Sequence, residues 1–278
     1  NADIGTATVT VKGRGWFAGN TTTRLFSIKK PNAKIVDVSY WDGDIDWDKV
    51  APKVSTVFMR AFRTSLSHKH YTDCNEPEMM IQDVKYDEYA TGCEKHNIPY
   101  SAYGFMVYTN AHDTDTAALA DAVVQGDRLF EAAFSNGHRP VSIILDIESS
   151  KMTGSNSAFV MDCAKATIAR VQKRVRDAGL AQRVKTGLYI GSRGYATFGF
   201  ATEAGEAFVA SEIDFVWIPR WGKNTGGVPA AKYRPTRAYD VWQYTSVGKV
   251  AGIPSKVDVS LVNASGPNAH TIDWYLKP

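Results

Sequence analysis

Strand and helix signals alternate through the first half of this chain, strand signals crowd the second half, and acids stand near several strand ends. These observations predict an α/β fold: an irregular (β/α)8-type barrel with helices depleted in its second half, plus a short N-terminal β segment. The 278 residues, 44% of them hydrophobic, suit one large domain with a small appendage and a sizeable core. A flavodoxin-like doubly wound sheet is the alternative. It fits less well, because the chain ends in three strands joined by helix-poor loops.

Residues 1–30 read as the β segment and 31–278 as the barrel. TATVTVKG alternates β-branched with small residues, GRGWFAGN supplies a glycine-rich turn, and TTTRLFSI resumes the alternation. A lone hairpin is marginal in water and must pack on something. The pattern resembles the last strands of immunoglobulin-like repeats of bacterial surface proteins, and it reads equally well as an arm folded on the main domain. From Ala33 onward, AKIVDVS and STVFMRAF are short buried strands. A helix is expected from Pro77 through EPEMMIQDVKYDEYATGCEKHN, with proline in the first turn. IPYSAYGFMVY is the third strand and TDTAALADAVVQGDRLFEAAF the helix after it. VSIILDIE, apolar until its end, is a fourth strand covered on both faces. SNSAFVMDCAKATIARVQKRVRDAG is a helix capped by Ser or Asn in front and Gly179 behind. VKTGLYIG, IDFVWIP, RAYDVWQYT and VDVSLV are four further strands, with one short helix (about 203–210) among them.

Catalytic groups of a barrel come from the carboxyl ends of its strands. Asp37 ends the first strand, Asp146 and Glu148 end the fourth, and Asp258 belongs to the last. Residues i and i+2 of a strand point the same way, and two carboxylates so placed repel, which raises at least one pKa. Glycoside hydrolysis uses such a pair, one carboxyl protonated and one ionised. The same acids would equally serve as loop caps or as partners of Arg60, Arg193 or Arg220. Tyr103, Tyr189, Trp217 and Trp242 lie near strand ends, where aromatic rings either stack on sugars or fill the core. Together with Arg60 they are the candidate substrate contacts.

Several classes drop out. A net charge of +3 without a Lys/Arg block longer than a pair gives no footprint for nucleic acid. No apolar run approaches the roughly 20 residues of a membrane span. Cys74, Cys93 and Cys163 fit neither a disulfide framework nor a metal knuckle, and Cys74 and Cys93 flank or share one helix that holds them apart. His68 and His70 in SHKHYTDC read as a solvated loop, so no metal is expected. The chain opens on Asn1 without a signal-peptide pattern, as in a processed or trimmed form.

IVDVSYWDGDIDW (35–47) resembles the opening signature of glycoside hydrolase family 25, the lysozymes of bacteria and phages. ILDIE (144–148) matches that family's D-x-E, and VWQYTSVGKVAGIPSKVDVSLV (241–262) looks like its closing signature. FMRAF, SAYGF, GLYIGSRGY and VWIPRWG follow in the family's order, so the likeness spans roughly 33–264. The resemblance implies a retaining N-acetylmuramidase that cleaves peptidoglycan at the β-1,4 bond between N-acetylmuramic acid and N-acetylglucosamine. It implies no metal or organic cofactor, a monomer, and action outside the cell, at its surface, or on a wall reached by phage delivery. It makes Glu148 the general acid/base, and Asp146 either a nucleophile or the residue orienting the substrate's 2-acetamido group. Asp37 and Asp258 become supporting acids, and Tyr103 and Tyr189 the favoured sugar contacts. Gly104 and Met106 depart from the family, which often has an aromatic residue or His after the tyrosine. A carbohydrate-binding surface module of the same fold without turnover, or a chitinase-like hydrolase, is the competing reading.

Overall fold

β-branched residues at regular spacing form β1 (Gly5–Lys12) and β2 (Thr21–Ile28), an antiparallel pair running from Gly5 opposite Ile28 to Lys12 opposite Thr21. The computed structural model describes residues 5–12, 21–28, 34–64, 80–108, 115–148, 157–180, 184–263, 265–266, 268 and 274–275. The hairpin belongs to one unit, Asn1–Ala33, and everything below to the other, Lys34–Pro278. The glycine-rich turn expected at 13–20, His68, His70 and Cys74 lie outside the described residues.

In the larger unit the strands are β3 (Ile35–Val38), β4 (Thr56–Thr64), β5 (Met80–Gln82), β6 (Tyr100–Phe105), β7 (Ser142–Asp146), β8 (Lys185–Tyr189), β9 (Phe215–Pro219), β10 (Val241–Gly248) and β11 (Val257–Val262). Pairing runs β3-β4-β6-β7-β8-β9-β10-β11 and back to β3, so among the described residues eight strands close a barrel. From β3 to β10 neighbours are parallel, whereas β11 is antiparallel to both β10 and β3. The cause lies in the connection. Residues 249–256 are too few for the crossover that a parallel return needs, so the chain doubles back as a hairpin.

The helices are α1 (Trp47–Val50), α2 (Tyr86–Lys95), α3 (Asp115–Ala133), α4 (Ser157–Asp177), α5 (Ser192–Thr197) and α6 (Glu203–Glu212). Two expectations are corrected here. Pro77, the expected helix start, lies outside the described residues, but Met80–Gln82, expected within that helix, pairs antiparallel with Phe62–Thr64, taking the flank of β4 beyond the reach of β3, and α2 starts at Tyr86. Among the described residues, two short helices rather than one stand between the last four strands, since α5 follows β8 directly. At the end of α4, Gly179 takes φ +69°, the left-handed conformation that stops a helix. Among the described residues no helix is long and apolar enough to cross a membrane.

Alternation along the strands divides the core into two shells. Ile35, Phe58, Tyr103, Ile144, Phe215 and Trp217 fill the barrel, while their neighbours, such as Val36, Met59, Leu145 and Val216, pack outward under the helices. Gly187 is what lets the interior close. A Cβ there would come within 2.4 Å of the Phe215 ring. Gly104 and Met106 belong to the outer shell. A Cβ on Gly104 would meet Leu129 of α3 at 3.0 Å, and Met106 is fully buried while its N–H donates to the Asp146 carbonyl at 2.9 Å. The departure from the family pattern therefore fits helix packing rather than the barrel mouth.

Candidate active site

The parallel strands deliver their carboxyl ends to one mouth, and β11, being reversed, delivers its beginning there. Asp258, second in β11, is thus the register partner of Asp37 on β3. Across the mouth, Asp146 closes β7 beside its register partners Phe105 and Tyr189. Glu148 follows two residues later, held in line because the Ile147 N–H still donates to the Tyr189 carbonyl at 2.9 Å. All four acids expected from the sequence reach the same mouth.

Gln243 ties them together. Its Nε2 donates to Asp37 Oδ2 and to Asp258 Oδ2, each at 3.1 Å. Its Oε1 accepts from the Tyr189 hydroxyl at 3.1 Å and from the Trp221 indole at 2.9 Å. Trp221, just past β9, is thereby pinned at the rim with 38% of its surface exposed. Neither residue was among the sequence candidates. Gln243 was visible only as the middle of Trp-Gln-Tyr, and Trp221 only as the end of VWIPRWG.

The acids differ in surroundings. Asp146 is 5% exposed, and its Oδ1 has no hydrogen-bond partner. Burial raises its pKa well above the ordinary range; Glu148 and Asp37 push it the same way and Arg60 pulls it back. Glu148 stands open to solvent. Its pKa is also raised, first by the protein mass crowding its carboxyl, against the Tyr189 hydroxyl that stabilises the anion. Tyr189 has one hydroxyl proton, so it serves either Gln243 or Glu148. Burial raises Asp37 strongly, the Asp258 charge adds to this, and the Gln243 bond opposes it. Asp258 is raised to about 7, chiefly by burial, with Asp37 in hydrogen-bonding reach holding it back. Four carboxyls so arranged retain protons at pH values where solvated acids have lost theirs. The protons belong to the cluster rather than to single residues.

The candidate substrate contacts divide. Tyr103 and Tyr189 line the barrel against Trp217, with ring centroids 6.4 and 4.3 Å from it. Trp217 is 2% exposed and its indole N–H donates to Ser260 Oγ at 3.0 Å, which makes it the floor beneath the acids and not an open stacking surface. Trp242 is corrected more fully. Alternation places it outside the barrel, 4% exposed, with its N–H on the Arg220 carbonyl at 2.8 Å. The side chain sent into the mouth is its neighbour Gln243. Arg60 is ion-paired with Asp83, Nε donating to Oδ2 at 2.8 Å and Nη2 lying 2.7 Å from the same oxygen, while Nη2 is buried without a hydrogen-bond partner among the described residues. Asp42 adds a buried carboxyl behind Asp37, accepting from Ser255 Oγ at 2.6 Å and the Ser39 N–H at 2.9 Å.

The family model for glycosyl hydrolases family 25 matches residues 36–253. Among solved structures, the catalytic domain of endolysin ply40 from bacteriophage P40 of Listeria monocytogenes aligns with a TM-score of 0.64 at 21% identity, over 85% of this chain and 96% of that one. GHIP, a glycosyl hydrolase 25 virulence factor of Streptococcus pneumoniae participating in host cell invasion, gives 0.64 at 20% identity, over 88% and 92%. The spore cortex lytic enzyme SleM of Clostridium perfringens gives 0.64 at 21%, over 88% and 70%. At these identities the likeness shows the fold. No curated protein matches the chain.

Proposed function

The chain belongs to glycosyl hydrolases family 25 and is a glycoside hydrolase, and from that premise we propose that it cleaves peptidoglycan between N-acetylmuramic acid and N-acetylglucosamine, with net retention at the anomeric carbon. The observation that carries this reading is the contrast between two carboxyls two residues apart. Glu148 is open to solvent with a raised pKa, as a group must be to hand a proton to the leaving oxygen and later take one from water. Asp146 is buried with an oxygen that lacks a donor. The acetamido N–H of the substrate would supply that donor, and the carboxylate would offset charge developing as the acetamido oxygen attacks the anomeric carbon. Asp37 and Asp258, bridged by Gln243, would fix the electrostatics behind the bond being broken.

This substrate places the protein's work at the cell wall, reached from outside or delivered by phage. The direct test is clearing of a suspension of purified walls by the full chain, followed by analysis of the new reducing ends. Reducing N-acetylmuramic acid ends are expected. Reducing N-acetylglucosamine ends, or wall binding without new ends, would overturn the reading.

A further inference from the structure

Beside the acids, on the β3–β4 side of the mouth, lies a cluster with no assigned part. Just past β3 the chain makes a 3-10 turn, Tyr40–Asp42, with Tyr40 and Trp41 side by side and ring centroids 4.3 Å apart. Trp41 is 73% exposed, and burial of apolar surface gives no reason for a tryptophan there. Two arginines of β4 stand over the Tyr40 ring. The Arg60 guanidinium carbon lies 5.1 Å from the ring centroid and that of Arg63 5.9 Å.

Residues three apart on a regular strand face opposite ways. A bulge in the β4–β6 pairing between Arg60 and Phe62 undoes this and brings Arg63 to the same ring as Arg60. The two differ in one respect. Arg60 is neutralised by Asp83, and Lys85 nearby by Asp44 and Glu88. Arg63 is only partly buried and makes no ion pair among the described residues. A mouth lined by Asp37, Asp146, Glu148 and Asp258 thus carries at its edge a guanidinium whose charge no carboxylate answers among the described residues.

We propose that Tyr40, Trp41 and Arg63 form a subsite for the stem peptide of a muramoyl unit, with Arg63 pairing a peptide carboxylate and Trp41 offering an apolar face to the same unit. The inference rests on the peptidoglycan reading above and adds a charge preference to it. The chemistry suits the substrate: glycan rings are neutral, while the peptide carries ionised carboxylates, which a guanidinium binds by charge-assisted hydrogen bonds. A subsite of this kind makes the enzyme distinguish free from amidated stem peptides, groups of nearly equal size and different charge.

The test uses the full chain and soluble glycan strands in two forms, stem-peptide carboxylates free or converted to carboxamides. The free form should show a KM lower by about tenfold, the lower range for a hydrogen bond to a charged group. Arg63→Gln should bring the ratio of the two KM values close to one, Arg63→Lys should keep part of it, and kcat should move little. Wild-type protein gives an independent reading should Arg63→Gln not fold. Its KM for the free form should climb with salt more steeply than for the amidated form. Equal KM values with both strands cleaved, or a ratio that survives Arg63→Gln, overturns the subsite and leaves the muramidase reading intact. Cleavage of neither strand brings both down.

Discussion

At the scale of single residues, Glu148 and Asp258 separate two demands on a carboxyl. For Glu148 the demand is proton transfer. Glu148→Gln removes the donor while keeping size and polarity, and should lower kcat by about two to four orders of magnitude with substrate binding largely kept. Steady-state kinetics on soluble strands checks it, and near-native kcat would remove Glu148 from the role. For Asp258 the demand falls on stability. Its pKa is raised to about 7 in the fold, against about 4 for an unfolded aspartate. Between these values the native protein holds a proton that the unfolded chain has released. The unfolded state then binds fewer protons, so stability falls as pH rises from about 4 to about 7. Asp258→Asn should flatten part of that slope, leaving the variant less sensitive than wild type when denaturant midpoints at pH 4 and 7 are compared; parallel slopes would contradict it. These acids were legible because each stands at a strand end inside a motif. Gln243 was not, because its meaning lies in contacts to Asp37, 206 positions away, and to Asp258, 15 away. Trp242 drew attention as an aromatic residue, yet the alternation of one strand decides which neighbour enters the mouth.

At the scale of elements, the reversed direction of β11 is what brings Asp258 to the other acids. A parallel strand there would carry its second residue to the opposite end of the barrel. The strands themselves could be read from apolar runs and β-branched residues. Met80–Gln82 could not, because three residues pairing on the flank of β4 leave no periodicity to detect, and the proline and acids before them signal a helix. Six residues of α5, with Gly194 among them, are likewise too few for a helical pattern. The interior depends on Gly187 of β8 making room for Phe215 of β9. Gly187→Ala should therefore destabilise the barrel by about 1–3 kcal/mol through overpacking. Denaturant unfolding checks this, and an unchanged midpoint would show that Phe215 has another place to go.

At the scale of the whole molecule, the sequence's eight strands and the order of its motifs led to the barrel without error in kind, because strand count and short connections restrict the topology severely. The N-terminal hairpin stands as its own unit, and every residue of the candidate site lies after Ala33. A chain beginning near Pro31 should therefore melt cooperatively and keep its activity on cell walls. Aggregation or loss of turnover would show that the barrel relies on those residues. The central claim is hydrolysis in which the substrate's acetamido group, positioned by Asp146, attacks in place of a protein nucleophile, while Glu148 works on the leaving oxygen. Two displacements at one carbon give net retention, whereas a single attack by water inverts it. Proton NMR of the anomeric signal during early turnover of a β-linked glycan strand reads the retention that this route requires, before mutarotation mixes the products. The account predicts that the β-anomer of the new reducing end appears first; initial appearance of the α-anomer would contradict it.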